Sequence, residues 1–111
     1  MLRIDRLGND FIVTPCKVKS LNATLSKSLE KQLIQLMDQQ GIVITLDLTE
    51  IKYIDSIGFA TLLSIGKAAR SANCTFQLYN VSPDLQKLLN LLKLGRMFRM
   101  VENRPEKVET G

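Results

Sequence analysis

Two stretches with a repeat of two, set either side of a helix-length segment, restrict the folds open to this chain more than any other feature. In "IVITLDL" (42–48), Ile42, Ile44, Leu46 and Leu48 share one face of a strand, and Val43, Thr45 and Asp47 share the other. In "CTFQLYN" (74–80), Cys74, Phe76 and Leu78 alternate with Thr75, Gln77 and Tyr79. The segment between them, roughly Ser56 to Ser71, reads as a helix. Two strands joined by such a helix run parallel, with a right-handed crossover. Both strands alternate instead of running continuously apolar, so helices are expected on one sheet face, with the other partly wet. That pattern argues against a doubly wound nucleotide-binding sheet.

The flanking sequence extends the pattern. "FIVTPCKV" (11–18) reads as a strand in which Pro15 implies an edge position or a bulge, and a short earlier strand is expected through Leu2 and Ile4. Leu25, Leu29, Leu33, Leu36 and Met37 form one helical stripe, with Lys27, Glu30, Lys31 and Asp38 turned away and Gly41 as the stop. "SPDLQKLLNLLKLG" places Ser82 as N-cap, Pro83 at the first helical position, Leu85, Leu88, Leu89 and Leu92 on one stripe, and Gly95 beyond the end. "RMFRMVE" can close the sheet as an edge strand. The expected organisation is one domain over 1–102 and a frayed tail over 103–111, which has too few apolar residues to pack.

A chain of 111 residues, 45% hydrophobic and 23% charged, suits one soluble core. No apolar run approaches a membrane span, and "MLRIDRLGND" does not read as a signal peptide, so the cytoplasm is the expected location. With no histidine, the commonest general base and the commonest metal ligand are missing. Cys16 and Cys74, each in a predicted strand, read as reduced core thiols. There is no GxGxxG or phosphate loop, and the carboxylates Asp47, Glu50 and Asp55 show no acid–base spacing. No catalytic residue, metal site or cofactor is therefore expected. The net charge of +4 is mild, and the basic run Lys93, Arg96, Arg99, Arg104 lacks interleaved aromatics, so it reads as a solvated helix end and strand edge without nucleic-acid binding.

The stretch "KYIDSIGFATL" (52–62) carries the functional question. Ser56, at the head of a helix, can be a simple N-cap. Three features point further. Ile57, Phe59, Ala60, Leu62, Leu63 and Ile65 cannot all face one sheet, so part of the first turn is exposed or covered by a partner. Gly58, a poor helix former, would permit close approach of another molecule's backbone. A hydroxyl at a helix N-terminus is also well placed to carry a phosphate.

The run "ITLDLTEIKYIDSIGFATLLSIGKAAR" followed by "FQLYNVSPDLQKLLNLLKLGRMF" resembles the STAS domain, and most of all the bacterial anti-sigma factor antagonists. The resemblance spans residues 11 to about 102 and centres on the "DSIG" turn. It implies an α/β fold: a STAS-like mixed four- to five-stranded sheet with helices mainly on one face. In such antagonists the serine after the aspartate, here Ser56 after Asp55, is phosphorylated by an anti-sigma factor that is itself an ATP-dependent serine kinase. The unphosphorylated form binds that kinase and frees a sigma factor; a serine phosphatase reverses the modification. The resemblance implies a partner surface of Asp55, Ser56, Ile57, Gly58, Phe59 and Thr61, with Lys19 and Asn22 beside it. Cys16 and Lys19 stand where the family commonly has a glycine and, three positions on, an aspartate, and Ile57 replaces a small or hydroxylated residue.

The leading expectation is a non-enzymatic binding module switched at Ser56. The alternative is a non-switching STAS subunit of a lipid-transport or signalling assembly. A third reading, a small enzyme or nucleotide hydrolase using Asp55 and Ser56, is disfavoured because no base, metal cluster or phosphate loop accompanies the serine.

Overall fold

The computed structural model describes residues 2–93 and 98–102. The chain opens with a hairpin of β1 (Leu2–Leu7) and β2 (Asp10–Pro15), paired antiparallel. Gly8, at φ 62°, supplies the positive backbone angle that a two-residue hairpin loop demands. Next come a two-residue strand β3 (Ser20–Leu21), helix α1 (Ala23–Leu36), strand β4 (Val43–Asp47) and a second short strand β5 (Tyr53–Ile54). Helix α2 (Ser56–Ser71), strand β6 (Thr75–Tyr79), helix α3 (Pro83–Leu91) and strand β7 (Arg99–Val101) complete the order.

The main sheet runs β1-β2-β4-β6-β7, with the last four strands mutually parallel. Each parallel step is made through one helix and advances the sheet in the same direction, so right-handed crossovers put all three helices on one face. The core confirms this: Phe11, Val13, Ile44, Leu46, Phe76 and Leu78 from the strands join Leu29 and Leu33 of α1, Leu62 and Ile65 of α2, and Leu85 and Leu89 of α3. Phe76 and Phe98 meet edge to face, with ring centroids 6.0 Å apart. This is the mixed sheet that the resemblance implied, with the helices on one face as the alternation suggested.

Several local expectations are corrected. β2 is an interior strand, not an edge. Its pairing with β4 covers Asp10 to Val13 only, so Pro15, which lacks an N–H, sits beyond the last rung on that side. The opposite sheet face is drier at its centre than the alternation suggested: Ile12, Thr45 and Gln77 are buried, and the Gln77 amide donates to Thr45 Oγ1 at 2.8 Å. Helix α1 stops at a Met37 cap, and Gly41 instead makes the φ 84° turn into β4. Helix α3 caps at Leu92, with Lys93 at φ 58°, so Leu88 and Leu92 lie exposed beside the buried pair Leu85 and Leu89. The expected stop at Gly95, the arginines Arg96 and Arg104 and the tail 103–111 lie outside the described residues. Cys16 and Cys74 are free but half-buried at strand margins, not within strands.

Candidate functional site

The site is built on a small parallel ladder away from the main sheet. β3 pairs with β5, Ser20 opposite Tyr53 and Leu21 opposite Ile54, and each strand leads directly into a helix. The Lys19 carbonyl locks the lower end by accepting from the Lys52 N–H at 2.7 Å and the Tyr53 N–H at 3.1 Å. At the upper end the N-termini of α1 and α2 start side by side. Asn22 caps α1, its Oδ1 accepting from the Leu25 N–H at 3.0 Å. Asp55 caps α2, its Oδ1 accepting from the Gly58 N–H at 2.7 Å.

The capping role that Ser56 could have played therefore belongs to Asp55. Ser56 is the first residue of α2 and is exposed, and among the described residues nothing hydrogen-bonds its hydroxyl. The cap is satisfied without it. The positive ends of two helix dipoles converge here, and neither first turn contains an acidic residue, so Asp55 is the local counter-charge.

The structure divides the remaining candidates. Ile57 is 51% exposed, next to Ser56 in the chain, and Tyr53, three residues upstream of Ser56, is 69% exposed. Lys19 and Asn22 are exposed as well. Gly58, Phe59 and Thr61 are buried. Gly58 does allow a close backbone approach, but of its own chain: a Cβ there would stand 2.5 Å from the Leu21 carbonyl oxygen and 2.7 Å from Ile54 Cγ2. The glycine lets α2 seat against the ladder instead of admitting another molecule, which corrects the reason first assigned to it. The all-round apolar character of early α2 resolves as expected, with Phe59, Leu62 and Ile65 inward and Ile57 and Ala60 outward.

Below the ladder, Lys17, Val18, Lys19, Thr49, Glu50 and Lys52 line a cavity of about 350 Å³. Lys17 adopts the left-handed conformation, φ 59°, as the chain turns out of β2. Tyr53, Lys17 and Lys52 were missed in the sequence, although "KVKS" and "IKYI" bring lysines to both rims once the β3–β5 ladder is known. No cluster of three or more metal-ligating side chains occurs among the described residues.

The STAS domain model matches residues 9–107. The chain belongs to the STAS domain family. Its fold closely matches those of solved antagonists in this family. An anti-sigma-factor antagonist (STAS) domain protein from Planctomyces limnophilus superposes with TM-score 0.80 at 16% identity, over 93% of this chain and 91% of that one. A putative anti-sigma factor antagonist from Thermotoga maritima gives TM-score 0.76 at 18% identity, over 92% and 86%. The Bacillus cell fate determinant SpoIIAA in its phosphorylated form gives TM-score 0.70 at 14% identity, over 93% of each chain. A search of curated protein sequences returns no match. Among the described residues of this STAS domain, no helix is long and apolar enough to cross a membrane.

Proposed function

We propose that this STAS domain is an anti-sigma factor antagonist, a non-enzymatic cytoplasmic binding module whose switch is phosphorylation of Ser56. The observation that carries the reading is the placement of Ser56: exposed, free of the capping bond, and next to the exposed Ile57 at the meeting point of two helix N-termini. Unmodified, this surface offers a partner an apolar contact through Ile57 and Tyr53. A phosphate adds about −1.5 to −2 charges there. It would sit beside the Asp55 carboxylate and force any apolar contact to desolvate a charge. A loss of only about 1.4 kcal/mol weakens binding tenfold, so the modification suffices to break the partnership.

The partner on this reading is an anti-sigma factor serine kinase, sequestered by the unphosphorylated form so that a sigma factor is released. A serine phosphatase restores that form. The contact surface comprises Tyr53, Asp55, Ser56 and Ile57 with Asn22 and Lys19. Gly58, Phe59 and Thr61 act from beneath, by fixing the first turns of α2.

The test is a paired capture from host lysate with wild type and Ser56→Asp as baits, the retained proteins being identified by mass spectrometry. A kinase-type anti-sigma factor held by wild type and lost with aspartate is the expected result. Identical capture by both baits overturns the switch and, if membrane-transporter subunits co-purify in fixed stoichiometry, replaces it with the non-switching assembly subunit.

A further inference from the structure

The cavity below the β3–β5 ladder is unusual in its charge. Three lysines, Lys17, Lys19 and Lys52, line it together with one acidic residue, Glu50. Among the described residues none of the three lysines lies within ion-pair distance of a carboxylate. All three lysines are exposed, so their charge is presented to solvent. Val18 and Thr49 complete the lining, which is more apolar than polar.

The cavity and the Ser56 surface lie at the two ends of the same short ladder. Lys52 precedes Ser56 by four residues, and that chain, extended through β5, spans at most about 14 Å. Exposed Tyr53 lies between the two. Lys19 is held next to Lys52 by the backbone bond at the foot of the ladder. A partner seated on Ile57 and Tyr53 therefore has within reach a cationic hollow whose lysines have no acidic partner among the described residues.

We infer that this cavity is the second half of the docking surface, and that it receives an acidic segment of the partner in which carboxylates alternate with apolar side chains. The inference rests on the Ser56 reading for the identity of the partner, but not for the chemistry of the cavity. Unpaired cations on a partly apolar floor are complementary to such a segment, and opposite charges across an interface set which partners are accepted and how fast they arrive. A basic segment would instead meet like charges and be rejected. Ser56 then decides when the partner is held, and the lysines decide which partner it is.

Two measurements test this. First, the isotope-labelled full chain is titrated at low salt with a hexapeptide alternating glutamate and leucine, with its lysine–leucine counterpart and with inorganic phosphate. The backbone amides of Lys17, Val18, Lys19, Thr49 and Lys52 should shift with the glutamate peptide alone, and the Lys19→Glu/Lys52→Glu double variant should abolish the effect while keeping its remaining spectrum. No shift at these amides, or equal shifts with inorganic phosphate, overturns the inference; the latter would mark a small-anion site. Second, the affinity of the kinase retained by wild type is measured for the double variant, with a weakening of tenfold or more expected. Unchanged affinity there, with Ser56→Asp still blocking binding, overturns the cavity's role and leaves the Ser56 reading standing. If no partner distinguishes serine from aspartate, the Ser56 reading fails and the peptide titration alone decides the cavity.

Discussion

Replacing Gly58 with alanine is the sharpest test of how α2 is seated. On an open helix the change would stabilise by up to about 1 kcal/mol through helix propensity. Here the new methyl would stand 2.5 Å from the Leu21 carbonyl oxygen and 2.7 Å from Ile54 Cγ2, with Leu21 Cγ at 3.3 Å. Ile54 could rotate, but the nearest atom is backbone, in the strand that pairs with β5, and it can retreat only by opening the Leu21–Ile54 rung. Overpacking of this kind costs about 1–3 kcal/mol, occasionally more. With two contacts under 3.0 Å, one of them backbone, the upper part of that range, about 2–3 kcal/mol, applies; set against the propensity gain, the net expectation is a loss of about 1–2 kcal/mol, or a fall in Tm of roughly 4–9 °C for a chain of this size. Urea unfolding followed by circular dichroism, with the slope unchanged and the midpoint lowered, is the assay. A midpoint equal to or above that of the wild type would show that α2 has room to move, and would refute the close approach as the reason for glycine.

Four further substitutions have outcomes set by the local geometry. Asp55→Ala removes the side-chain acceptor for the Gly58 N–H and should destabilise the fold by about 0.5–2 kcal/mol, read from the urea midpoint, while Ser56→Ala should leave stability within about 0.5 kcal/mol. Ile57→Ala, at a half-exposed position, should likewise change stability by less than about 0.5 kcal/mol yet reduce partner retention in the capture assay; retention equal to wild type would remove Ile57 from the contact surface. Lys93→Gly relieves the φ 58° backbone after α3 and should raise stability by up to about 1 kcal/mol, whereas a loss would mean that the lysine side chain contributes there.

Much of the fold was legible because its signals are local. The alternation in 42–48 and 74–80, the stripe from Leu25 to Met37 and the Ser82–Pro83 helix start each follow from the geometry of one element. What stayed hidden depends on neighbours. That β2 is interior follows from its pairing with β1 on one side and β4 on the other, a non-local fact that Pro15 obscured by falling just past the last rung. Thr45 and Gln77 look like solvent-facing residues in an alternating strand, and only their cross-strand pairing shows how two polar side chains satisfy each other out of water. At the site, "DS" offers two consecutive good caps, and sequence alone does not say which one takes the role; the helix begins at Ser56, so the cap is Asp55. The lysine cavity was illegible for the same reason as the β3–β5 ladder, since two-residue strands leave no periodicity to read.

The separation of cap from acceptor has a consequence for any switch at this position. Were Ser56 the N-cap, modifying its hydroxyl would alter the bond that starts α2, and the state of the serine would be coupled to the stability of the helix. With Asp55 holding the Gly58 N–H and Ser56 turned to solvent, a charge at Ser56 meets two small opposing effects. Repulsion from Asp55 is unfavourable, and the positive end of the helix dipole is favourable by about 0.3–1 kcal/mol. The two oppose each other in the folding free energy. They do not cancel for a bound partner, which must also displace the water that solvates the new charge, at a cost of several kcal/mol if the group is left unpaired. On the proposed switch, the arrangement would direct more of the effect of modification into binding than into folding, as a reversible switch on a small domain requires.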